Sequence, residues 1–106
     1  MFRQPVKKAI ETRTVLIFSY DGEEREVEPH ILGVSTAGNV VVCGWQRSGE
    51  LPGWRNYLLP GVTELTRTAI RFSAPHEGYN PEDSTFARIT CRIEPGPASN
   101  PVRAER

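Results

Sequence analysis

The chain has 106 residues, and Lys plus Arg equals Asp plus Glu at 13 each, so the formal net charge is zero. That balance excludes a global field that would hold the protein on nucleic acid or an anionic membrane, and leaves only local patches for such contacts. One domain of this size buries about two-thirds of the surface that its unfolded chain exposes, so its core must be compact, which suits a barrel of short strands.

The two cysteines, Cys43 and Cys91, lie far apart, and Met1-Phe2-Arg3-Gln4-Pro5 runs into charged Lys7-Lys8 rather than into an apolar leader. The expectation is a reduced, cytoplasmic protein. The longest apolar runs, around Val15 to Phe18 and Val40 to Cys43, are far too short to span a bilayer, so no membrane contact is expected.

Gln4 to Arg13 carries Val6, Ala9 and Ile10 at i, i+3 and i+4 with Pro5 in the first turn, which predicts a short amphipathic helix. Thr14 to Tyr20 is rich in β-branched and aromatic residues and apolar at alternate positions on both faces, as in a strand covered on two sides. Asp21-Gly22 then supplies a type I′ hairpin turn. This turn places Tyr20 opposite Glu23, Phe18 opposite Arg25, Leu16 opposite Val27 and Ile17 opposite Glu26. Arg25, Val27 and Pro29 thus share one face, while Glu24, Glu26 and Glu28 share the other.

Pro29 has no ladder N–H and marks a strand end, a bulge or an edge. A further strand is expected from Ile31 to Ser35, a turn at Ala37-Gly38-Asn39, and a return strand from Val40 to Trp45, giving four strands in two successive hairpins. Gln46 to Gly53 reads as a polar loop and Trp54 to Leu59 as a fifth strand stopped by Pro60-Gly61. Val62 to Phe72 favours extended structure, and Pro75 to Asp83 is a loop that Tyr79 can pin to the body. Thr85 to Ile93 alternates as a half-buried last strand. Residues 1–93 are therefore one domain, and 94–106, with Pro95, Pro97 and Pro101, is expected to be a disordered proline-rich tail.

Three of these segments together resemble a WYL domain, a small Sm-like, SH3-related β-barrel found mostly in bacteria. They are Ala9-Ile10-Glu11 leading into Val15 to Tyr20, then Arg25 to Gly33, with arginine, an apolar residue and proline at alternate positions, and Trp54 to Val62. The later Gly78-Tyr79-Asn80-Pro81 and Ile89-Thr90-Cys91 stretches are similar to a stand-alone, single-domain branch. The chain departs from the pattern where the family's naming tripeptide stands as Asn39-Val40-Val41, with the tryptophan displaced to Trp45, and where Gly61 replaces a second arginine. The resemblance implies a ligand-sensing, regulatory module, with nucleic acid or nucleotide as the leading ligand. Its usual helix-turn-helix partner is not seen in this sequence, so direct transcription-factor activity does not carry over.

Two readings of the arginines stay open. In one, Arg25 and Arg55 form a small cationic pocket, with Trp54 and Tyr57 offering faces on which a base can stack and Tyr20 and His30 at the edge. In the other, Arg25 pairs with Glu23 or Asp21 and Arg55 is an ordinary exposed residue. Arg88 and Arg92, with Arg67 and Arg71, would form at most an outward basic stripe. Cys43 in the most apolar strand reads as an inert thiol rather than a nucleophile. Cysteines and histidines lack the paired spacing of a metal site. The expected protein is thus a mainly β, Sm-like or SH3-like barrel with an N-terminal helix and a C-terminal strand. It would be non-enzymatic and without cofactor, binding single-stranded nucleic acid or a nucleotide. The alternative is a protein-interaction or homo-oligomerisation module using sheet edges and the tail.

Overall fold

A computed structural model describes residues 2–94, so the expected tail, apart from Glu94, lies outside the described residues. Helix α1 (Arg3–Thr12) precedes six strands: β1 (Thr14–Tyr20), β2 (Glu23–Ser35), β3 (Val40–Gln46), β4 (Gly53–Leu58), β5 (Thr63–Arg71) and β6 (Phe86–Arg92). One 3₁₀ turn, Leu59–Gly61, stands between β4 and β5. The helix buries Val6, Ala9 and Ile10 and ends at Arg13, whose left-handed backbone returns its N–H to the carbonyls of Ala9 and Ile10. Burying the Val6 and Ile10 side chains contributes about 1.5–3 kcal/mol each.

The first hairpin has the expected register, with Leu16 opposite Val27, Ile17 opposite Glu26, Phe18 opposite Arg25 and Tyr20 opposite Glu23. Asp21 and Gly22 have φ values of 53° and 78°, as a type I′ turn requires. Beyond it the expectation of two short strands needs correction, because Glu23–Ser35 is one continuous strand of 13 residues. Pro29 marks a bulge in it: Pro29 pairs with Gly44 and Ile31 with Cys43, leaving His30 as the extra residue. The bulge serves the core directly. Val27 and Leu32 are five positions apart, which strict alternation would put on opposite faces, yet both are buried on the side of Gln46 and Val42, their partners in β3.

All neighbouring strands are antiparallel, in the order β4-β3-β2-β1-β5, and β6 joins the second half of β2 from the side that β1 leaves open. The long bent strand thus holds β1 and then β6 on one edge and β3 along the other. No ladder joins β4 to β5 among the described residues, so the sheet curls in the SH3-like manner but does not close into a complete barrel. Phe18, Val27, Leu32, Val42, Tyr57 and Leu59 pack with the helix in its centre.

Candidate functional site: a guanidinium recess and an aromatic cluster on opposite faces

Strand alternation splits the six expected site residues. In the β3–β4 ladder, Gly44 faces Arg55, Val42 faces Tyr57 and Gln46 faces Gly53, while Trp45 faces Trp54 on the opposite side. Arg25, Arg55, Tyr20 and Tyr57 accordingly gather on one face, and Trp54 and His30 on the other.

On the first face, Arg25 and Arg55 line one open recess of about 600 Å³ with Gln46 and Leu51. Gln46 is its hub and is 7 % exposed. Its Oε1 accepts from Arg25 Nη1 at 3.1 Å and from the Tyr57 hydroxyl, and its Nε2 donates to the Ser48 carbonyl at 3.2 Å. Arg25 Nη2 donates to the Tyr20 carbonyl at 3.0 Å, and the guanidinium carbon lies 5.8 Å from the centre of the Tyr20 ring. Arg25 Nε is buried without a partner. The expected pairing with Glu23 is present at 3.5 Å, but the Glu23 side chain is 75 % exposed, so water weakens the pair. Arg55 donates to the Leu51 and Trp54 carbonyls and makes no ion pair among the described residues. Burial pushes the Tyr57 hydroxyl up to about 12, against the opposing pull of Arg25 and Arg55, so at neutral pH it is a donor.

Three carboxylates, Glu23, Glu24 and Glu50, share the rim of this recess. Sequence alone names Glu23 as a partner of Arg25 but not Glu24, Glu50 or Gln46 as neighbours of the recess; Glu24 adjoins Arg25 in sequence, whereas Glu50 and Gln46 arrive from a loop and a distant strand end. Gly61 also finds a local reason here. A Cβ on it would sit 3.0 Å from Tyr20 Cε1, and the Tyr20 hydroxyl is held by the Leu58 N–H at 3.1 Å. The Tyr20 ring fills the space from which a longer side chain at 61 would start.

The second face is aromatic, with His30 buried at its centre. His30, expected at a pocket edge, is instead fully buried. It stacks on Phe72 (5.4 Å, 22°), meets the Trp54 ring edge to face (4.8 Å) and lies against Tyr79 (5.0 Å). The His76 N–H donates to its Nε2 at 3.0 Å, so the proton sits on Nδ1 and is donated to the Glu28 carbonyl at 2.7 Å. Burial, opposed by that carbonyl, lowers its pKa from 6.5 to about 4. With both nitrogens bonded and the ring buried, His30 acts as a structural pin between β2 and the Phe72 to Tyr79 segment. Trp54 donates to the Glu77 carbonyl and borders a separate cavity of about 290 Å³ with Cys43, Asn56, Tyr79 and Asp83, a cavity that Arg55 also borders. Tyr79 pins its loop as expected, donating to the Ile93 carbonyl. Burial raises the Cys43 thiol to about 12, so it stays protonated at neutral pH.

The expected basic stripe divides as well. Arg92 donates to the Pro81 carbonyl and pairs with Glu82, while Arg67 and Arg71 lie on β5, which is not adjacent to β6. Among the described residues there is no group of three or more metal-ligating side chains placed to hold an ion, and no helix is long and apolar enough to cross a membrane. No protein-family model, curated protein or solved structure matches this chain.

Proposed function

We propose that the chain is a non-enzymatic, regulatory ligand-binding module of the WYL type, acting in the cytoplasm and taking a nucleotide or the end of a single-stranded nucleic acid. The observation that carries this reading is the pair of guanidinium groups, Arg25 and Arg55, lining one open recess with no buried acid to neutralise them. Forked donors of this kind suit phosphate oxygens. The rim carboxylates suit the hydroxyl and amino donors of a sugar and base, and disfavour a long polyanion lying across the site. A nucleotide-sized ligand is therefore favoured over a continuous strand.

Isothermal titration with nucleoside monophosphates and a short oligothymidylate tests the reading. Binding should weaken with added salt, and Arg55→Ala should weaken it about tenfold. No binding by any of these probes, or affinity equal in wild type, Arg25→Ala and Arg55→Ala, would refute it.

A second reading is supported by the open sheet. Strands β4 and β5 end the strand path, and Leu58 and Ile70, one on each, are 45 % and 49 % exposed. Such edges can be extended by another chain. Light scattering over a concentration series checks it: mass that rises with concentration in wild type and not in Ile70→Lys supports self-association, and a strict monomer that captures no protein counts against it.

A further inference from the structure

The flank of α1 and the second half of the sheet enclose another cavity, of about 180 Å³, with a composition unlike that of the first recess. Its floor is apolar: Leu32 and Val34 from β2 and Val40 from β3. Its polar lining is Arg3, Gln4 and Lys7 from the helix and Arg88 and Thr90 from β6. The fold brings these together in a definite way. Val6 and Ile10 turn one side of the helix into the core, which leaves Arg3 and Lys7, one turn apart, on the flank over the sheet. Across the ladders, Val34 pairs with both Val40 and Arg88, so the three side chains share one face beneath that flank.

Three cations and no acid line this cavity, and none of the three makes an ion pair among the described residues. The guanidinium recess, by contrast, carries three carboxylates beside its two arginines. Like charges converging on an apolar floor repel one another and gain from a counter-charge that the protein does not provide. A multivalent polyanion would use the cations but leave the floor wet. A neutral hydrocarbon would cover the floor and leave the cations unanswered.

From this arrangement we infer a second binding site, for a small amphiphilic anion: a carboxylate or phosphate head held by Arg3, Lys7 and Arg88, on a short apolar body seated over Leu32, Val34 and Val40. The cavity is smaller than the usual drug-sized pocket, which limits the body to a few carbons. The site shares no residue with the Arg25–Arg55 recess and stands whether or not that recess binds a nucleotide.

Methyl-selective NMR of the whole chain titrated with hexanoate tests the inference, with 1-hexanol and inorganic phosphate as the two halves of the ligand. Hexanoate should produce saturable shifts at the Leu32, Val34 and Val40 methyls. 1-Hexanol and phosphate should each bind at least about tenfold more weakly, and Arg88→Gln or Lys7→Gln should weaken hexanoate by about the same factor. Both replaced side chains lie at the surface flank, and an unchanged urea midpoint confirms that the fold is intact. The inference is overturned if hexanoate gives no saturable shift up to about 10 mM. It is also overturned if either half-ligand binds as tightly as hexanoate, or if neither substitution changes the affinity. If phosphate matches hexanoate, the site is a plain anion patch; if hexanol does, it is a plain apolar dent.

Discussion

The guanidinium recess and the His30 cluster share strands β2 and β4, yet they use polar side chains in opposite ways. On the recess side, Arg25 and Arg55 line an open cavity, and Arg55 makes no ion pair among the described residues. On the other side both nitrogens of His30 are bonded and its ring is covered by Phe72, Trp54 and Tyr79. Residues with spare donors at an open surface can answer a ligand. A buried residue whose ring nitrogens are both bonded within the fold holds it together.

The contrast breaks most visibly at His30. His30→Ala should cost about 3–4 kcal/mol in urea unfolding, from the lost ring packing and the orphaned His76 N–H and Glu28 carbonyl. An effect below about 1 kcal/mol would remove its role as a pin.

The same residue gives the fold an acid limb. Its folded-state pKa, about 4, lies below the ordinary 6.5, so the unfolded chain takes up the proton first. Stability should therefore be lost as pH falls from about 6.5 towards 4, by at most about 3 kcal/mol. Unfolding free energies measured over that window should fall more steeply in wild type than in His30→Gln; parallel curves would show that other groups carry the acid limb.

Arg25 stands between the two kinds of residue. Arg25→Ala should destabilise by about 2 kcal/mol, since two hydrogen bonds from a charged donor go, to Gln46 and to the Tyr20 carbonyl. It should weaken nucleotide binding as well. Tyr57→Phe removes only a hydroxyl from Gln46 and should cost about 1 kcal/mol. Arg55→Ala should cost less than about 1 kcal/mol, because its hydrogen bonds reach only nearby loop and strand carbonyls. Chemical denaturation of the three variants side by side ranks them. The reverse order would make Arg55 the structural arginine.

Much of this division was readable in the chain, and the rest fails for definite physical reasons. The β1–β2 register follows from one Asp-Gly turn and period-two alternation, and it places Arg25 beside Phe18 without any tertiary information. The bulge was less legible, because Pro29 is equally compatible with a strand end. Only the five-residue spacing of Val27 and Leu32, two residues that both need burial, argued for an extra residue between them. His30 was misplaced because its partners Phe72, His76 and Tyr79 come from more than forty residues along the chain. Trp54 and Arg55 are adjacent in sequence, and on a strand that adjacency sends them to opposite faces.

The central claim is that the ligand is read by the recess and not by the aromatic face. Isothermal titration of one nucleoside monophosphate into wild type, Arg55→Ala and Trp54→Phe, all shown to be folded, tests it most directly. The account predicts about tenfold weaker binding for Arg55→Ala and affinity within about twofold of wild type for Trp54→Phe. Loss of binding in Trp54→Phe with Arg55→Ala unchanged would contradict it.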